Sequence, residues 1–429
     1  MMVGTAFLLL IALLALSVPV AASLGVLGLL LSQIYSVIPL SLALGEVAWG
    51  ASTSFILVAV PFFVLLGEIL LRSGIAERMY GAMAQWVSWL PGGLMHSNIG
   101  ACSLFAATCG SSVATAATIG TVAIGQIEEG RYNERIFLGS LAAGGTLGIL
   151  IPPSINLIVY GVLTETSIPQ LFLAGLIPGI VLAVVFMLTI GIACVFRPSW
   201  GGRRVETSWQ GRLRSLPDLM PPLAIFAVVI GSIYAGWATP TESAALGVVA
   251  ALILAACRRR LSLRLLRQVV EGTMTTTAMV MAILIGAYFL NFVIAAIGLT
   301  GNVSRFVTEL GLSPAHTLFA VIVFYLILGM FMETLSMMVA TVPIIAPLVI
   351  GMGYDPIWFG IIVVILIETA MITPPVGINL FVVQGVRKRG EMQDVIIGAA
   401  PFVVALLAML GLLILFPGLA TWLPSGASR

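Results

Sequence analysis

Charged side chains are scarce in this sequence. Only 8% of the 429 residues are Asp, Glu, Lys or Arg, while 60% are hydrophobic and the mean hydropathy is +1.16. A soluble domain carries about 25% charged residues, so lipid must be the solvent for most of this chain. The net charge of +2 argues against nucleic acid as a partner.

Side chains for enzyme or metal chemistry are also scarce. The chain has two histidines, His96 and His316, and four cysteines without a CxxC spacing. It contains no HExxH, GxSxG or Walker motif, which disfavours a zinc hydrolase, a serine hydrolase and an ATPase. The sequence therefore predicts a protein that is not an enzyme.

The chain contains a diverged internal repeat. Pro19 and Pro240 each precede a small-residue stretch and a Leu-Gly pair, and IPPSIN at 151–156 resembles TPPVGIN at 373–379. These matches share an offset of about 222 residues, close to half the chain. Each half can be read as the same series of membrane spans, an amphipathic arm, a hairpin and a Pro-broken helix.

The predicted fold is an all-α polytopic membrane protein with an inverted repeat, two re-entrant hairpins and two Pro-broken helices. Its parts are a first repeat (1–196) with hairpin 98–127 and broken helix 136–164, a basic cytoplasmic linker (197–218), and a second repeat (219–429) with hairpin 315–350 and broken helix 356–386.

The distribution of basic residues agrees with this topology. Five crossings per half, an odd number, orient the two halves oppositely. All but Arg305 and Arg429 of the 19 basic residues then lie on the cytoplasmic side, as the positive-inside rule requires. We expect a multi-pass protein of the bacterial inner membrane with both termini periplasmic. A separate basic interfacial helix at 258–270 should precede a span at 272–297.

Helix breaks are the candidate functional sites, because non-helical backbone within hydrocarbon is tolerated only where it lines a protein cavity. In the first half, the hairpin offers the hydroxyls of Ser111, Ser112 and Thr115, and the break at 144–156 ends with Asn156. Prolines free carbonyls that can face a cation, and the next helix N-terminus can face an anion. Ordinary packing by small residues is the alternative.

The second half repeats the arrangement with a carboxylate added. Glu333, Thr334 and Ser336 lie in the second hairpin, and Asn379 follows the second Pro-Pro pair. We predict that these polar residues of both halves bind substrate. A carboxylate at membrane depth is usually functional, although Glu333 could lie at a hairpin end near water. Glu368 is either a buried ligand or a partner of the hairpin. Neutral oxygen donors suit sodium, and the repeat predicts at least two sodium sites.

At these motifs the sequence resembles the large membrane subunit, the M or DctM-like subunit, of tripartite ATP-independent periplasmic (TRAP) transporters. The resemblance is carried by 110–120, 139–161, 171–179, 238–247 and 373–381. It implies an elevator-type ion-transporter fold and sodium-driven import of a small organic acid, such as a C4-dicarboxylate, a sugar acid or a keto acid. It also implies two partners, a small membrane subunit on a separate chain and a periplasmic substrate-binding protein.

The resemblance further implies which residues bind sodium. They lie at each hairpin tip and the adjacent break: Cys109, Ser112, Gly148, Ile151 and Pro153, then Gly329, Thr334, Ala370, Thr373 and Val376. Two positions depart from the family pattern, since Ala370 stands where glycine is expected and Asn156 where an apolar residue is common. A self-sufficient sodium/anion symporter of related fold is the main alternative function.

Overall fold

The chain folds into helices throughout the part that can be described. The computed structural model describes residues 2–203, 207–309 and 311–427, and every regular element in these ranges is a helix. Seven helices in the described ranges are long and apolar enough to cross a membrane. The prediction of an all-α polytopic membrane protein is confirmed. Residues 204–206 of the predicted linker, and Arg429, lie outside the described ranges.

The first half contains eleven helices in the described part of the chain. They are α1 (Met2–Ala15), α2 (Val20–Tyr35), α3 (Leu44–Ser52), α4 (Ala59–Arg72), α5 (Ile75–Val87), α6 (Leu94–Cys109), α7 (Ser112–Ala123), α8 (Gln126–Gly130), α9 (Glu134–Thr146), α10 (Ile155–Thr164) and α11 (Ile168–Phe196). The arm is α5, the first hairpin is α6 with α7, and the first broken helix is α9 with α10.

The second half contains ten helices within the described ranges. They are α12 (Trp209–Tyr234), α13 (Pro240–Cys257), α14 (Leu263–Ala296), α15 (Leu299–Glu309), α16 (Pro314–Gly329), α17 (Thr334–Gly351), α18 (Pro356–Met371), α19 (Ile378–Arg387), α20 (Met392–Leu415) and α21 (Gly418–Ala427). The arm is α15, the second hairpin is α16 with α17, and the second broken helix is α18 with α19.

The expectation of a separate basic helix before the third span of this half is wrong. A single helix of 34 residues, α14, contains residues 263–270 together with the span, and residues 258–262 form the connection after α13. The Ser262 side chain accepts a hydrogen bond from the Leu265 amide at its start, and Arg267 pairs with Glu271 one turn later. Neither glycine nor proline interrupts 263–271, so the polar turns simply continue the apolar helix.

Helices of one half pack against helices of the other half, and these contacts occur in symmetry-equivalent pairs. Helix α2 packs on α14, and α4 packs on α13. In the same manner α7 contacts α9 and α19, while α17 contacts α18 and α10. We call α6–α11 with α16–α21 the central bundle, and α1–α4 with α12–α14 the peripheral bundle. This pairing is the arrangement that an inverted repeat produces.

Helix α9 and helix α20 of the central bundle approach at backbone distance. A Cβ atom on Gly398 would overlap the carbonyl oxygen of Arg135, and one on Gly139 would overlap the carbonyl oxygen of Gly398. Small residues allow such close helix crossings in membranes. The two glycines therefore fix where the last span meets the first broken helix.

Both broken helices end at their prolines. Helix α9 ends at Thr146, one 3-10 turn covers Leu147–Ile149, and α10 begins after Ser154, whose side chain accepts a hydrogen bond from the Leu157 amide. Helix α18 ends at Met371, and α19 begins after Gly377, which has a φ of 53°. Proline lacks the amide hydrogen that would continue the helix.

Candidate functional site

The first hairpin tip lies directly on the first break. A Cβ atom on Gly110 would lie 2.7 Å from the Pro153 carbonyl oxygen, and one on Gly148 would lie 2.7 Å from the Ser111 carbonyl oxygen. Neither glycine leaves room for a side chain, so the two backbones are in contact. Of the predicted first-site residues, Gly148 lies against Ser112, and Pro153 lies against Gly110 next to Cys109, whereas Ile151 packs on Gly179 of α11.

Asn379 joins the first hairpin to the second broken helix. Its Nδ2 donates to Ser112 Oγ at 2.7 Å and to the Ala142 carbonyl oxygen at 3.1 Å, and the residue is fully buried. The neighbouring Thr115 hydroxyl donates to the Ser111 carbonyl oxygen at 2.7 Å. Asn379 therefore connects the two halves of the chain through hydrogen bonds, and we call this connection the Asn379 clamp. The sequence predicted Asn379 only as a substrate-binding residue.

The second hairpin tip lies on the second break in the equivalent way. A Cβ atom on Gly329 would overlap the Ala370 side chain, and the Val376 amide donates to the Met330 carbonyl oxygen at 3.3 Å. The Thr373 hydroxyl donates to the Thr369 carbonyl oxygen at 2.6 Å. Three of the predicted second-site residues, Gly329, Ala370 and Val376, are therefore neighbours at one tip and break.

Glu333 caps the second helix of its own hairpin. Its carboxylate accepts hydrogen bonds from the Leu335 and Ser336 amides at 3.2 and 3.1 Å, and from the Thr334 and Ser336 hydroxyls at 2.9 and 3.0 Å. A carboxylate is favourable at a helix N-terminus. The two hydroxyls predicted to bind substrate thus donate to Glu333 here, whereas the equivalent cap of the first hairpin is the neutral Ser111.

Asn156 differs from its repeat counterpart Asn379. It lies in the first turn of α10 and is 2% exposed, and its Nδ2 has no hydrogen-bond partner among the described residues. A buried amide donor without an acceptor costs about 1–3 kcal/mol. This unpaired donor lies in the first turn of α10, whose N-terminus is capped only by the neutral Ser154 side chain, and such surroundings suit an anionic or hydroxylated ligand.

Glu368 is fully buried in the last turns of α18, and neither of its carboxylate oxygens has a hydrogen-bond partner in the described part of the chain. The alternative that it pairs with the hairpin is therefore wrong. An ionised carboxylate in such surroundings is very costly.

Two glycines of the site were missed by the sequence reasoning. A Cβ atom on Gly67 of α4 would lie 3.0 Å from Cys109 Sγ, so the peripheral bundle touches the first hairpin tip at this point. A Cβ atom on Gly145 would lie 3.1 Å from Asn379 Nδ2. The glycine-rich run at 144–148 was a usable signal for Gly145, but Gly67 stands alone in an apolar span.

Comparison with known proteins establishes the family. Residues 7–419 match the profile described as the tripartite ATP-independent periplasmic transporter, DctM component. The chain belongs to this family. It is 36% identical to the C4-dicarboxylate TRAP transporter large permease protein DctM of Pseudomonas aeruginosa, over 94% of this chain and 92% of that protein. It is 32% identical to the sialic acid TRAP transporter large permease protein SiaM of Vibrio cholerae, over 87% of each.

The fold of this DctM-family chain also matches a solved structure. The crystal structure of the Alcanivorax borkumensis YdaH transporter superimposes with a TM-score of 0.60 and 15% identity, covering 98% of both chains. Membership of the DctM family confirms the predictions of a transporter rather than an enzyme and of a multi-pass inner-membrane protein.

Proposed function

We propose that the chain is the large membrane subunit of a sodium-coupled importer of a small organic acid. The observation that carries the proposal is the contact of each hairpin tip with a proline break, which gathers backbone carbonyls and hydroxyls inside the membrane. Among the described residues, no group of three His, Cys, Asp or Glu side chains could bind a metal ion. Neutral oxygen donors of this kind fit a monovalent hard cation.

Two sodium sites follow from the two tips. The first would use the predicted residues at the first tip and break, and the second those at the second tip and break. Bound sodium supplies positive charge that attracts the substrate carboxylate and holds each tip on its break. The clamp from Asn379 to Ser112 keeps the first tip in place.

The substrate acid would bind at the N-terminus of α10. Asn156 offers an unused amide donor there, and the half-helix N-terminus favours a negative group. Glu333 already caps the N-terminus of α17, whereas α7, its counterpart in the first half, is capped by the neutral Ser111. This asymmetry favours one principal carboxylate site. The relatives named for C4-dicarboxylates and for sialic acid are both transporters of carboxylates, which agrees with this assignment.

Transport would occur by an elevator movement of the central bundle against the peripheral bundle. The connection from arm α5 to the first hairpin contains Gly92 and Gly93 with φ of 118° and 52°, and the connection from α15 to the second contains Gly311 with φ of 64°. Glycine readily adopts these values, and we place the hinges of the movement at these connections. A small membrane subunit and a periplasmic substrate-binding protein would complete the assembly, with membrane lipid around it.

The proposal is tested in proteoliposomes that contain this chain and its small subunit. We expect uptake of a labelled acid from a panel of C4-dicarboxylates, sugar acids and keto acids only with both an inward sodium gradient and the binding protein. Uptake of free acid by this chain alone would instead support the self-sufficient symporter. Uptake that is equal in sodium and in potassium would contradict sodium coupling.

Replacement of Asn156 by leucine should weaken the binding of the transported acid without lowering the stability of the protein. The variant loses a donor that has no partner in the protein, so we expect the melting temperature to stay the same or rise. A hydrogen bond to a charged ligand contributes about 1.5–3 kcal/mol, so the KM for the transported acid should rise at least about tenfold. Transport kinetics and a thermal melt measure the two effects.

Asn379→Leu is the matched control for Asn156→Leu. It removes two hydrogen bonds within the protein, so the melting temperature should fall in this variant. An unchanged KM in Asn156→Leu would remove Asn156 from the substrate site.

A further inference from the structure

Two loops on the predicted cytoplasmic side, around residues 130–133 and 198–203, are joined by hydrogen bonds. The Arg203 amide donates to the Gly130 carbonyl oxygen at 2.7 Å, and the Asn133 amide donates to the Trp200 carbonyl oxygen at 3.2 Å. Tyr132, 6% exposed, donates from its hydroxyl to the Arg203 carbonyl oxygen at 3.3 Å. The turn before α9 and the loop after α11 therefore have a fixed relative position.

This arrangement presents two arginines to one pocket. Arg131 and Arg203 line a cavity of about 420 Å³ together with Pro198, Ser199 and Gly202. Within the described ranges neither arginine forms an ion pair, and no acidic side chain lines the cavity. Two unpaired guanidinium groups at one cavity match an oxyanion with several acceptor oxygens.

Arg131 also lines a neighbouring cavity, of about 460 Å³, together with Glu128, Glu134, Arg387 and Arg389. There the two glutamates are paired with Arg387 and Arg389. Among the described residues Arg131 has no such ion pair, so the lack of a partner does not extend to every arginine on this face.

The cavity lies beside exposed apolar surface. Helix α11 ends with Val195 and Phe196, which are 65% and 81% exposed, immediately before the loop that lines the cavity. Trp200 in that loop carries the Arg197 guanidinium over its ring at 4.8 Å, and tryptophan is enriched where hydrocarbon meets water. These features are those expected at the depth of phospholipid headgroups.

We propose that Arg131 and Arg203 form a binding site for the phosphate of an anionic phospholipid headgroup. The two guanidinium groups receive the phosphate oxygens, and the acyl chains lie along the exposed end of α11. This site is separate from the hairpins and breaks, and it does not depend on the proposed transport function.

Native mass spectrometry of the purified protein tests the site, with phosphatidylglycerol, net-neutral phosphatidylcholine and inorganic phosphate as separate probes. We expect phosphatidylglycerol to bind and the other two not to bind. The double variant Arg131→Gln/Arg203→Gln should bind phosphatidylglycerol more weakly, by a factor of about five per arginine. Its melting temperature should be unchanged, because the loops are tied by backbone atoms and Tyr132.

The matched control is Arg260→Gln/Arg264→Gln. It removes the same charge from two exposed arginines on the same predicted face, away from the cavity. Full retention of phosphatidylglycerol by this control supports a specific site. Equal loss in both double variants would show a diffuse positive surface, and binding of inorganic phosphate alone would identify a free ion as the occupant. Either result would overturn the proposal.

Discussion

Gly398→Ala should abolish transport and sharply reduce the yield of folded protein. The added methyl group would occupy the position of the Arg135 carbonyl oxygen, so α9 and α20 must separate along their crossing. The carbonyl oxygen is a backbone atom and the methyl group has no alternative rotamer, so no side-chain rotation can relieve the overlap. Overpacking costs typically about 1–3 kcal/mol and more when the backbone must shift, so we expect at least about 3 kcal/mol. Thermal melts and uptake assays measure the loss.

Gly411→Ala on the same helix is the control for this prediction. A Cβ atom there meets nothing within 4 Å, so stability should stay the same or rise slightly, because alanine is the better helix former. A Gly398→Ala protein with wild-type melting temperature and uptake would show that α9 and α20 do not approach as closely as described.

Arg387→Gln should produce the second large effect. The Arg387 side chain is 3% exposed, and its guanidinium lies 2.8 Å from Glu134 and 3.2 Å from Asp394. These contacts join the end of α19 to the starts of α9 and α20. Breaking a buried ion pair from one side costs about 3–5 kcal/mol. Since Glu134 is 36% exposed, we expect the lower end, about 3 kcal/mol, in a melt or denaturant titration.

Arg267→Gln provides the comparison for Arg387→Gln. Arg267 pairs with Glu271 within α14, but its side chain is 81% exposed, and exposed helix pairs of this kind contribute about 0.3–0.5 kcal/mol. Similar losses in the two variants would mean that the contacts of Arg387 are no stronger than surface pairs.

Sequence reasoning could predict the hairpins and breaks because they rest on local chemistry. A Pro-Pro pair removes two consecutive amide donors, and the pairs at 152–153 and 374–375 interrupt helices here, whereas single prolines such as Pro178 and Pro401 lie inside helices. The repeat then placed each hairpin next to a break. The contacts of Gly110 with Pro153 and of Gly148 with Ser111 are the consequence of that placement.

Long-range pairings could not be predicted in the same way. The Asn379 clamp joins residues 267 positions apart in the chain, and no pattern in either segment specifies the partner. Glu333 was predicted to bind substrate or to lie at a hairpin end near water, and its capping of α17 depends on the side-chain rotamer at the start of that helix. The state of Glu368 depends on neighbours from other helices, which one sequence does not identify.

The length of α14 has a consequence for the bilayer. Its uncharged part, from residue 272 to Ala296, measures about 37 Å at 1.5 Å per residue. The hydrocarbon layer is only about 30 Å thick. The helix must therefore tilt relative to the membrane normal, and the tilt angle depends on membrane thickness. Because α2 and α4 pack along it, lipids with longer acyl chains would make the whole peripheral bundle stand more upright.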